Sequence, residues 1–80
     1  MNQLELTLKM RLEKEPDVEF VFRKKNGVLR TAHGTRNLDY IPLSHHPHEP
    51  EKPSGSSLAY FDHGKEEWRS FRYGSLLSIR

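Results

Sequence analysis

The chain has 80 residues, no cysteine and a formal net charge of +2, with 34% hydrophobic and 30% charged residues. That length allows one domain with a thin core, because a chain this short buries only about 60% of the surface its unfolded form exposes. Disulfide staples and thiolate metal sites are excluded, and with no long apolar run the sequence predicts neither a signal peptide nor a membrane span; the expected compartment is the cytoplasm.

Residues 2–15 carry two periods at once. Leu4, Leu6, Leu8, Met10 and Leu12 alternate as in a strand, whereas Leu4, Leu8 and Leu12 also form one helical stripe. The residue types (Leu, Met, Lys, Glu, Arg) favour a helix, with Leu6 and Met10 on its far face, and Pro16 ends the segment in either case. A helix over residues 1–16 is the expectation, with a strand as the alternative.

Val18 to Lys25 and Val28 to His33 are β-formers flanking Asn26-Gly27, the dipeptide a two-residue type I′ turn requires. That turn pairs Lys25 with Val28, Lys24 with Leu29, Arg23 with Arg30, Phe22 with Thr31 and Val21 with Ala32. Val18, Phe20, Phe22 and Leu29 then share the core face, and Val21, Arg23, Lys25, Arg30 and Ala32 share the other. Leu38 to Leu43, cut by Pro42, reads as a turn or a brief bridging strand. Residues 44–57 hold three of the five prolines and no large apolar residue, which predicts a flexible loop. Leu58 to Asp62, a turn at His63–Glu66, and Glu67 to Arg72 form a second hairpin. Tyr73–Ser75 breaks it as a 3₁₀ turn, and Leu76 to Ile79 is a last short strand. With no room for crossover helices, residues 17–80 predict a small antiparallel five-stranded barrel, so the fold class is mainly β with one N-terminal helix.

The segments FRKKNGVLRTAHGTRNLDYIP (22–42) and YFDHGKEEWRSFRYGSLLSI (60–79) resemble a family of short proteins from bacteria, their mobile elements and their phages. The recurring features are a K-[KN]-G turn, a G-T-x-N-L-x-x-I-P stretch and a W-R-S-F strand, covering about half the chain. The resemblance implies an SH3-like β-barrel fold and supplies no catalytic residues.

Charge alternates in blocks: −2 over residues 1–19, +4 over 20–48, −3 over 49–67 and +3 over 68–80. The two positive blocks coincide with aromatic-rich strands, so folding is expected to bring them to one basic face. Enzymatic function is not expected. No serine sits in a nucleophile elbow, Glu66-Glu67 are sequence neighbours on opposite sides of a strand, and no Gly-rich phosphate loop is present. His45, His46 and His48, followed by Glu49 and Glu51, match no standard metal spacing, and no metal or cofactor is expected. The opposed Arg23/Arg30 pair is the feature that folding does not obviously justify. It directs the functional reading to a basic contact face of Arg23, Lys25, Arg30, Arg36 and Arg69, with Trp68 as an anchor. The expected function is a non-enzymatic interaction module, phage- or mobile-element-associated, that binds a host or defence protein. The alternative is a nucleic-acid-binding small barrel. An edge strand or the N-terminal segment would also suit homodimerisation.

Overall fold

The computed structural model describes residues 2–47 and 55–80. The N-terminal segment is a helix, α1 (Gln3–Lys14). A capping box starts it: Asn2 Oδ1 accepts from the Glu5 amide at 2.8 Å, and Glu5 Oε1 accepts from the Asn2 amide at 3.2 Å. Leu8 and Leu12 are fully buried while Leu6 and Met10 lie exposed, so the helical stripe, not the alternating period, decides this segment. The helix stops ahead of Pro16, with Arg11 and Glu15 bridged one turn apart.

Five antiparallel strands follow: β1 (Val18–Arg23), β2 (Leu29–Thr35), β3 (Ser57–Asp62), β4 (Glu67–Arg72) and β5 (Leu76–Ile79), in the single-sheet order β4-β3-β2-β1-β5. The segment between β2 and β3 contains two 3₁₀ turns, Leu38–Tyr40 and Leu43–His45, in place of a bridging strand, and a third, Tyr73–Ser75, joins β4 to β5. Phe20, Phe22, Tyr60 and Phe71 pack ring against ring at the centre, with Leu8 and Leu12 of α1 closing one side.

The first hairpin differs from the sequence expectation by one residue of register. Gly27 alone takes a positive φ, 86°, and Asn26 does not. The Gly27 amide donates to the Lys24 carbonyl at 2.9 Å and the Lys24 amide to Val28 at 2.8 Å. The loop is therefore three residues, a tight turn closed by a left-handed glycine, not the two-residue type I′ turn. Asn26 Oδ1 accepts from the Val28 amide and Arg23 Nη1 donates to the Gly27 carbonyl, which fixes this geometry.

The shift exchanges the faces of β2. Phe22 now faces Arg30, Arg23 faces Leu29, and Phe20 faces Ala32. Ala32 is 2% exposed and Leu29 55%. Arg23 and Arg30 are not opposed, and Leu29 leaves the core face while Ala32 and Arg30 join it. The reason is tertiary. Gly34, on the same face as Ala32, passes so close to β3 that a Cβ there would stand 2.0 Å from the Phe61 carbonyl oxygen. In this register the residue that meets that backbone is Gly34, which has no side chain to clash with it.

The G-T-x-N-L-x-x-I-P stretch has a structural account. Thr35 is fully buried, and its hydroxyl meets the Leu12 and Glu15 carbonyls at 3.0 and 2.7 Å. The Arg36 amide donates to Leu12 as well, so the orphan carbonyls at the end of α1 are satisfied from β2. Asn37 Oδ1 caps the first 3₁₀ turn through the Asp39 amide, and Ile41 is buried.

In the second hairpin Glu66 occupies the left-handed region at φ 55°, with its amide on the Asp62 carbonyl. Glu66 is thus a turn residue and not a strand neighbour of Glu67. Replacing it with glycine removes the Cβ clash of that conformation at some cost in unfolded-state entropy. Glu66→Gly is expected to stabilise the fold by about 0.5–1 kcal/mol, raising Tm by roughly 4 °C. A thermal melt showing no change or a fall in Tm contradicts this.

Candidate functional site

The tip of the first hairpin leans over one end of the barrel and is flanked by three adjoining depressions. The largest of the three, about 400 Å³, is lined by Arg23, Lys24 and Lys25 of the hairpin and by Ser70, Arg72 and Ser75. A second, about 360 Å³, continues past Arg72 and Ser75 to Gly74 and Leu77. A third, about 190 Å³, runs from Lys24 and Lys25 to Arg30, Tyr60, Arg69 and Ser70. Lys24 and Lys25 border all three, and no Asp or Glu is among the described residues that line them. The +4 and +3 blocks of the sequence meet here, which gives a groove whose charges add in one direction.

The six contact candidates divide on this geometry. Arg23 and Lys25 line the groove. Arg30 and Arg69 line its smallest part, each already engaged: Arg30 Nη2 lies 2.6 Å from Asp62 Oδ2, and Arg69 pairs with Glu67. Arg36 and Trp68 are turned to structural contacts instead. Arg36 Nη1 donates to the Ala59 carbonyl. Trp68 is half-buried against Phe61, and its Nε1 donates to the His45 carbonyl at 2.7 Å. Together they hold the segment after β2 against the outer side of β3 and β4.

The same segment absorbs two histidines of the His-rich stretch. The His45 ring packs on Phe61, and His46 Nε2 lies 2.9 Å from both the Leu38 and Ile41 carbonyls. His48, Glu49 and Glu51 lie outside the described residues. Among the described residues no group of three His, Asp or Glu side chains is placed to hold a metal ion, and no helix is long and apolar enough to cross a membrane.

Lys24 and Arg72 are the groove residues that sequence reasoning missed. Lys24 alternates with Phe20 and Phe22 of the core face, which hid it from the sequence reading. Arg72 was legible in principle, because it follows the core residue Phe71 in strand alternation and belongs to the +3 block.

Behind the groove lies a buried polar triad. Asp62, 1% exposed, accepts from Arg30, from the Lys65 amide at 3.0 Å and from the Tyr60 hydroxyl at 3.5 Å. Burial pushes the Asp62 carboxyl up, but the Lys65 amide and the Arg30 guanidinium, with the Gly64 amide, pull it further down, and it lies below its ordinary value. Burial, reinforced by the Asp62 charge, pushes the Tyr60 hydroxyl up to about 12, so it stays a neutral donor.

Helix, strand order and groove define a small SH3-like barrel with one cationic end. The chain belongs to the family described as WYL_2, Sm-like SH3 beta-barrel fold, matching the family model over residues 4–77. No curated protein and no solved structure matches it.

Proposed function

We propose that this protein is a non-enzymatic interaction module that engages a protein partner through the basic groove at the hairpin end. The observation that carries the reading is the lining itself: Arg23, Lys24, Lys25 and Arg72 around one open depression with no carboxylate among its described walls. Such a surface attracts an anionic partner and gains little from folding alone, since clustered like charges repel. Among the described residues that line the groove, none is a His, Asp or Glu that could act as a base toward Ser70 or Ser75. That the partner is a host or defence protein, met in the cytoplasm of a bacterial or infected cell, rests on the resemblance to phage and mobile-element proteins.

The test compares partners recovered from the native host by the wild type and by Lys25→Glu/Arg72→Glu. Both substituted residues are exposed. Partners retained by the wild type and lost by the variant, at equal thermal stability, support the reading. Equal recovery by both forms rejects the groove as the contact surface.

The same cationic lining also suits a nucleic-acid phosphate backbone, the second reading. Binding of mixed single- and double-stranded oligonucleotides across a salt series decides it, because phosphate contacts make affinity fall steeply with salt. Absence of binding at low salt removes this reading.

A further inference from the structure

We infer that the groove takes an extended acidic segment of a partner protein, laid along the open edge of β4. This rests on the reading of the groove as the contact surface and names the chemistry of what fills it. Three observations select a peptide. First, among the described residues β4 pairs with no strand on the edge away from β3, and Ser70, Phe71 and Arg72 of β4 wall the groove together with Ser57 of β3. An unpaired strand edge offers backbone donors and acceptors to another extended chain, and alternate side chains of that chain then point to one side.

Second, the cations are of the type and placement that carboxylates use. Arg72 presents a planar fork at the strand end, and Lys24 and Lys25 line the same depression. Carboxylates on every second residue of an added strand, about 7 Å apart, would fall on one side and face this row. Third, the groove lacks what a single-stranded nucleic acid uses. Its aromatic walls, Phe22, Phe71 and Tyr60, are only 8%, 4% and 1% exposed, so they present no face for a base to stack on.

The probes are labelled ten-residue peptides of alternating Glu-Val and of alternating Glu-Pro, with ten-nucleotide dT and U oligomers. Affinities are read by fluorescence anisotropy for the wild type and for Lys25→Glu/Arg72→Glu, and self-association is read by sedimentation. The Glu-Val peptide is expected to bind at least roughly tenfold more tightly than Glu-Pro, which carries the same charge but lacks half the amide donors, and than either oligomer. The charge-reversed variant is expected to lose at least roughly tenfold, and β4 amides are expected to shift in NMR spectra on peptide addition. Equal binding of the two peptides overturns the strand-edge placement. Tighter binding of an oligomer, lost in the variant, overturns the peptide assignment but leaves the groove as the contact surface. Salt-sensitive self-association abolished in the variant assigns the edge to a second copy of this chain and overturns the inference. Peptide binding unaffected by the variant, or no binding of any probe, overturns the inference and the groove reading together.

Discussion

Asp62→Ala is expected to destabilise the domain by about 3–5 kcal/mol, because removing one partner of a buried ion pair leaves the other charge uncompensated. The stranded group is Arg30, whose side chain is 21% exposed and whose buried Nε has no acceptor among the described residues. The Lys65 amide loses its acceptor at the same time. For an 80-residue chain a loss of that size approaches the whole folding free energy, roughly 4–12 kcal/mol. Replacing both ends, as Arg30→Met/Asp62→Leu, is expected to recover much of the loss, since an apolar pair removes the desolvation cost along with the attraction. Urea unfolding measures all three forms. A single substitution that costs less than about 1 kcal/mol shows that water already screens the pair.

The pH dependence has a definite sign. The Asp62 carboxyl lies below its ordinary value in the folded state. Its contribution is therefore present above the unfolded value, about 3.9, and is lost as pH falls from there through the depressed folded value. The wild type is expected to lose stability over that acid window, and Asp62→Asn to lose less. Parallel acid curves for the two forms contradict the assignment.

Gly34→Ala is the second large effect. The added methyl meets backbone, with the Phe61 carbonyl oxygen at 2.0 Å and its carbon at 2.9 Å, so no side-chain rotation relieves it. β2 and β3 pair at Gly34↔Asp62 and Thr35↔Phe61, with the His63 amide donating to the His33 carbonyl beyond them, and the clash falls on that short ladder. Overpacking costs about 1–3 kcal/mol when a core adjusts, and the upper end or beyond is expected where the obstacle is a strand backbone. Losing the ladder also displaces Asp62 from Arg30 and Thr35 from the end of α1. A denaturation midpoint within about 0.5 kcal/mol of wild type shows instead that β3 moves aside freely.

Much of the architecture was legible in the chain itself. The Leu4/Leu8/Leu12 stripe with helix-forming residues defined α1, and Asn2 and Glu5 carried a capping signal that the spacing alone would have revealed. The hairpin at Asn26-Gly27, the paired strands around His63–Glu66 and the break at Tyr73–Ser75 are all local events. Each follows from backbone preference and alternation within a few residues.

Register and site were not legible, for one physical reason. Asn-Gly suits both a two-residue and a three-residue hairpin loop, and a one-residue slip reverses every side chain of β2. The choice between them was made far from the turn, where Gly34 passes the Phe61 carbonyl and Arg30 meets Asp62 across 32 residues of sequence. The sequence by itself determined five strands, two separated basic blocks and an N-terminal segment favouring a helix over a strand. Only the tertiary structure decided that Arg30 turns inward to a buried carboxylate, that Arg36 and Trp68 fasten a covering segment, and that Lys24, Lys25 and Arg72 line one groove. Those placements depend on long-range packing and buried pairing, which no local period encodes.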